Sequence, residues 1–207
     1  MHTYLVPAAL ARVAAIACIA AGVLMIAGFA LHPAGEEPTL GTDPFWVPAH
    51  GLLWAAFTLA LVGWTGVYLM QASEAGTLGV IAYMMILIGT SFASWIYSTD
   101  VTYVPVIASD APQLFEKIMH GPSLVLGMAS VFTWMLGTVL FGISVIRARV
   151  FSRWPGILLV IGTASVPILY FAVDSVRIIA AGAYASAAGQ IWLGVELKTK
   201  TQSSREL

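Results

Sequence analysis

Apolar residues run along this chain in long blocks separated by short polar or Pro- and Gly-containing segments. A bilayer core about 30 Å thick requires about 20 apolar residues per helix. Six blocks meet that length: Ala8 to Leu31, Phe45 to Met70, Thr77 to Ser98, Pro112 to Ile146, Pro155 to Val173 and Arg177 to Leu197. They predict an all-α polytopic membrane bundle of six transmembrane helices, with residues 1–207 as a single transmembrane domain. The first block follows Arg12 as a signal peptide follows its basic region. Its apolar stretch from Val13 to Leu31 is longer than a usual cleaved core, so it reads as a retained helix.

The connections refine this pattern. The segment His32 to Pro44 is rich in Pro and Gly and cannot be helical throughout. Gln71 to Gly76 is short, which makes helices two and three an antiparallel hairpin. Asp100 to Ala111 ends in Asp110, followed by Pro112 and Gln113, which reads as an N-cap, a proline at the first helical position and a capping-box glutamine. Arg147 to Trp154 is short and basic, so helices four and five form a second hairpin.

Lysine and arginine set the orientation, because cytoplasmic loops carry their excess. With six spans, Arg12, Arg147, Arg149, Arg153, Lys198, Lys200 and Arg205 share one side, and only Lys117 and Arg177 lie on the other. The expectation is a multi-pass protein of the cell membrane with both termini cytoplasmic. Trp46, Trp95, Tyr97 and Tyr103 then fall near the outer interface, and Tyr68, Trp154 and Trp192 near the inner one. Such aromatic belts are usual interfacial anchors.

Composition sharpens what the chain can do. Hydrophobic residues make up 59% and charged residues 9%, against about one-quarter charged in an ordinary soluble domain, which excludes that class. A net charge of -1 supplies no basic surface for a phosphate backbone, so nucleic acid is not an expected partner. Cys18 is the lone cysteine, which excludes an intrachain disulfide and any cysteine-built zinc or iron–sulfur site. Metal chemistry would rest on His, Met or carboxylates.

The two hairpins also resemble each other. AHGLLWAAF (Ala49 to Phe57) leads to IGTSFASWIYSTD (Ile88 to Asp100), and MHGPSLVLG (Met119 to Gly127) leads to IGTASVPILYFAVD (Ile161 to Asp174). The shared order His-Gly, inner turn, Ile-Gly-Thr, Asp suggests a duplication about an axis along the membrane normal. Short matches in an apolar background are the alternative. The stretches LHPAGEE, DPFWVPAHGLLWAAFTLALVGWTGVYLMQ and FGISVIRARVFSRWPGILLVIG, within Leu31 to Gly162, resemble a widespread set of small six-helix bacterial membrane proteins with the pattern HPxGE, DPxWVPAH, RARVxxRWPG. That set has no established activity, so the resemblance implies a six-helix pattern and carries over no functional residue.

Ionisable groups at membrane depth are costly and mark candidate sites. His50 and His120 stand out, each followed by a glycine (Gly51, Gly121) that leaves room for a flat ligand. On a symmetric pair of hairpins they would lie at one depth, the minimal arrangement for a b-type haem with two axial imidazoles, walled by Trp54, Phe57 and Leu124. Lys117 or Arg177 would meet its propionates. The alternative is that both are interfacial histidines bonded to backbone or lipid headgroups. His32 is a weaker third candidate, for a zinc or copper site. His2 lies at the inner terminus and is set aside.

Other features read as structural. Asp100 and Asp174 close the two repeats, and Asp174 with Arg177 fits a solvated pair across a tight turn. The methionines, Met84, Met85, Met119, Met128 and Met135 among them, form no cluster and read as apolar filling. Ala181, Ala185 and Gly189, with Gly182 and Ser186, give helix six a small-residue face suited to packing within the monomer or against a second copy. Gln190 on that helix would bond a neighbour. Three functions compete. One is electron transfer through haem b to or from a quinone or a partner protein. The others are a non-catalytic accessory or scaffold and, less favoured, a small-solute transporter. No HExxH, GxSxG or co-planar Ser-His-Asp set supports a hydrolase, and enzymatic activity is left open.

Overall fold

In the computed structural model, which describes residues 7–33, 40–172 and 176–203, the chain is helical, with no strand among those residues. The helices are α1 (Ala8–Leu31), α2 (Trp46–Thr102), α3 (Val104–Asp110), α4 (Pro112–Met119), α5 (Pro122–Ala148), α6 (Arg153–Ala172) and α7 (Val176–Ser203), with one 3₁₀ turn at Leu40–Thr42. Three of them, α1, α2 and α5, are long and apolar enough to cross a membrane. Large apolar side chains cover the outside as well as the core, among them Ile16, Phe92, Val125, Phe132, Ile161 and Ile168. Water is a poor solvent for such a surface, and a bilayer is a good one.

Local chemistry explains the boundaries. α1 stops at His32, whose extended backbone suits the residue before Pro33. Asp43 accepts a hydrogen bond from the Phe45 amide at 2.7 Å and one at its carbonyl from Trp46, which starts α2. A straight helix of 57 residues would be about 85 Å long. It is instead folded in two at Gly76, where φ is 57° and ψ is -161°, a conformation open to glycine.

The contacts across that fold define a hairpin. Tyr68 stacks on Tyr83 at 4.1 Å, Thr58 and Ser94 share a hydrogen bond of 2.8 Å, and the Trp46 indole donates to the Asp100 carbonyl at 2.8 Å. Partners move apart symmetrically from Gly76, so the arms are antiparallel. The expected hairpin of helices two and three is therefore present.

The fourth block differs from its sequence reading. Pro112 to Ile146 is not one helix: α4 ends at Met119, His120 and Gly121 are non-helical, and α5 restarts with Pro122 at its first position. Pro122 lacks the amide a continuous helix would need, and Gly121 takes an extended backbone (φ -94°, ψ -156°). Pro112 does begin α4, but the capping residue is Ala111, and no side chain caps it.

Small residues bring the helices together. Gly63 approaches the Cys18 backbone, Gly28 faces Leu53, Gly22 and Gly194 join α1 to α7, and Gly142 and Gly156 face each other between α5 and α6. These pairings run α1, first arm, second arm, α5, α6, α7 and back to α1, with each neighbour antiparallel to the last. Arg12, Arg147, Arg149, Arg153, Lys198 and Lys200 consequently share the end that holds the Gly76 turn. Lys117 is at the other end. Where α5 gives way to α6, Arg149 takes the left-handed conformation with φ 56°. Next to it the Ser152 amide and hydroxyl both donate to the Glu196 carboxylate of α7.

The two Ile-Gly-Thr motifs have equivalent roles. Gly89 of the second arm meets the backbone of Trp134 on α5, and Gly162 of α6 meets the backbone of Ser186 on α7. The threonine after each is fully buried. In both hairpins the motif is where the second arm touches the next helix.

Candidate functional site

At the end of the bundle opposite the Gly76 turn, both arms of α2 and the end of α1 converge on one ionisable cluster. His50 lies five residues into α2 and is 3% exposed. Its Nδ1 is 2.8 Å from the Trp46 carbonyl, which can only accept, so Nδ1 carries the hydrogen and donates. Nε2 is thereby directed away from the helix backbone. It points to Asp100, whose Oδ2 is 3.8 Å away, closer than any other described carboxylate and longer than a direct hydrogen bond.

Aromatic rings enclose the pair. Trp46 stacks on the His50 imidazole with centroids 3.9 Å apart and planes 22° apart, and its indole N–H holds the Asp100 backbone. Tyr97 is 5.7 Å from His50 and stacks on Phe57, which meets Trp134 of α5 edge-on. His32, at the end of α1, lies 4.8 Å from His50, ring centre to ring centre. Its Nδ1 donates to the Pro33 carbonyl at 3.0 Å. Two imidazoles and one carboxylate thus share a small volume, each imidazole locked at one nitrogen by main chain.

The other sequence candidates lie elsewhere. His120 is exposed at the break between α4 and α5, with Nδ1 donating to the Glu116 carbonyl at 3.0 Å, and its ring contacts none of the aromatic residues around His50. Gly51 has open space where a side chain would be, whereas Gly121 sits against the Lys117 carbonyl. Of the three wall residues, Phe57 is buried inside the bundle, while Trp54 and Leu124 face outward. Among the described residues no three His, Cys, Asp or Glu side chains are set as a closed metal cluster. His2 and Asp174 lie outside the described residues, as does the side chain of Arg177. On α7, Gly182, Ser186 and Gly189 pack on α6 within the chain, and Thr163 of α6 shares a 3.1 Å hydrogen bond with Ser186. The Gln190 carbonyl accepts from Cys18 at 3.3 Å.

Asp100 and Tyr97 were legible only as a repeat terminus and an interfacial anchor. The signal that joins them to His50 is arithmetic: in a hairpin closing at Gly76, residues 26 before and 24 after the turn stand side by side. No family model, characterised protein or solved structure matches the chain.

Proposed function

We propose that this chain is an integral membrane protein of six spans whose working centre is a proton-exchanging His50–Asp100 pair at the outer face, reached from the outside past His32. The two arms of α2 each cross once, with α1, α5, α6 and α7 supplying the other four spans. Both termini are cytoplasmic, a reading supported by the basic residues at one end of the bundle. The parallel roles of the two Ile-Gly-Thr motifs support an origin by duplication of a hairpin.

One observation carries the functional reading. A histidine is buried in an apolar bundle with Nδ1–H fixed on the main chain and Nε2 facing a carboxylate. Buried ionisable groups in membrane bundles are retained where protons or ions are handled. Fixing one imidazole nitrogen leaves the other as the single site of proton gain and loss. The expected result is an infrared carbonyl band of a protonated carboxyl that rises as pH falls in the purified protein, is absent from Asp100→Asn, and moves in His50→Gln. A wild-type band unchanged by Asp100→Asn would overturn the assignment.

A second reading, electron transfer through haem b held by His50 and His120, has one observation in its favour. Both imidazoles donate Nδ1–H to the carbonyl four residues earlier, the arrangement by which ligating histidines are commonly oriented, although Nε2 of His50 would have to turn from Asp100 to meet iron. Protein purified from haem-replete cells would then carry a low-spin haem spectrum that disappears in both His50→Ala and His120→Ala. A colourless preparation removes this reading and leaves the proton reading untouched.

A further inference from the structure

We propose that the seam between the two arms of α2 and α5 holds a file of internal water that carries protons between the His50–Asp100 pair and the basic end of the bundle. The inference rests on the proton-exchange reading above and extends it from a site to a path.

Four buried polar atoms on this seam have no hydrogen-bond partner among the described residues: Ser130 Oγ, Thr90 Oγ1, Trp64 Nε1 and Gln71 Oε1. Their residues are at most 3% exposed. Buried polar atoms left unpartnered by protein are satisfied by ordered water. The cross-contacts put them on one seam. Trp64 meets Phe141 edge-on, the Gln71 amide donates to Ser144 at 3.5 Å, and Gly89 touches Trp134 one turn beyond Ser130. Gln190 Nε2 is also unpartnered but lies on α7, away from this seam.

Their order along the bundle is Ser130, Thr90, Trp64, Gln71, starting within the Phe57–Tyr97–Trp134 layer beside the His50 cluster, since Ser130 lies one turn before Trp134 on α5 and Thr90 follows Gly89, which meets the Trp134 backbone. By the register of the hairpin, Ser130, Thr90 and Trp64 follow one another within about one helical turn each and Gln71 lies about two turns beyond Trp64, so axial gaps are at most about 10 Å, which one to three waters would span. Beyond Gln71, Ser73 and Glu74 are exposed at the turn. The file thus has a polar group at each level and an exit.

The hydroxyls carry the argument furthest. Thr58, Thr65, Thr133 and Thr138, on the same two helices, all donate to the carbonyl four residues earlier. Thr90 and Ser130 have such carbonyls within their own helices and do not take them. Their hydroxyls stay available as donor and acceptor, as passing a proton along hydrogen-bonded water requires.

The test uses the full chain in phosphatidylcholine–phosphatidylglycerol vesicles with an internal pH dye and an imposed potential. Wild type is expected to carry protons faster than protein-free vesicles. The near-isosteric pair Thr90→Val with Ser130→Ala is expected to slow that flux about tenfold, the change that about 1.4 kcal/mol on a barrier produces. Unchanged thermal unfolding and an unchanged Asp100 carboxyl band in that variant would separate loss of the path from loss of fold or site. Wild-type flux in the double variant, or no flux in wild type, overturns the water file. Either result leaves the Asp100 band, and with it the proton-exchange reading, to stand or fall by itself.

Discussion

Gly89→Val is expected to lower the stability of the folded protein by at least about 3 kcal/mol, at the upper end of overpacking costs, and to leave much of it misassembled. A Cβ at Gly89 falls on the backbone nitrogen and Cα of Trp134, so no side-chain rotation can clear it. The second arm would have to part from α5, and with it the contact of Gly137 against the Ile86 backbone, where an added Cβ would already stand only 2.6 Å from the amide nitrogen. In a bilayer the loss is not recovered by hydrophobic burial elsewhere, because helix association there depends on close packing. Gly127→Val is the control, since nothing lies within 4 Å of a Cβ built on it. Thermal unfolding in detergent of both variants measures the difference, and equal unfolding temperatures would show that the crossing is not packed as described.

His50→Leu should cost about 3 kcal/mol, because it removes the facing imidazole and leaves the Asp100 carboxyl in a pocket of Trp46 and Tyr97. Breaking one side of such a pair is worse than replacing both. The double variant His50→Leu with Asp100→Asn is therefore expected to recover about 1–2 kcal/mol of that loss. Strict additivity of the two single changes in a detergent unfolding cycle would mean that the groups do not interact. Trp46 and Asp100 would stay joined in all these variants, since the indole bonds the Asp100 backbone carbonyl.

The helices and the first hairpin were legible because apolar block length and the glycine at position 76 are local properties. α1 (Ala8–Leu31) coincides with its apolar block, and α2 covers the second and third blocks with Gly76 between them. The break at Gly121 was harder to read, since a proline in an apolar run can kink a helix or restart one, and the backbone of the preceding glycine decides. His50 was visible as a costly residue. Its partners were not, because Asp100 is 50 residues away and becomes a neighbour only when the hairpin closes. His120 matched His50 by local pattern, His-Gly, but α4 ends there and leaves it exposed, whereas the corresponding stretch of α2 continues through His50. Sequence identity of a dipeptide did not carry identity of surroundings.

Arg149 records a compromise between two stages in the life of the chain. An arginine in the left-handed region costs about 1 kcal/mol relative to glycine, the residue that usually ends a helix this way. Glycine would make the α5–α6 junction easier to fold, yet it would delete Arg149, the one arginine of a four-residue connection that Arg147 of α5 and Arg153 of α6 flank. Insertion is decided before folding, by how firmly such a connection is retained on the charged side of the bilayer. If the chain inserts as proposed, with that connection on the cytoplasmic side, the left-handed Arg149 trades a small folding cost for a positive charge at the turn.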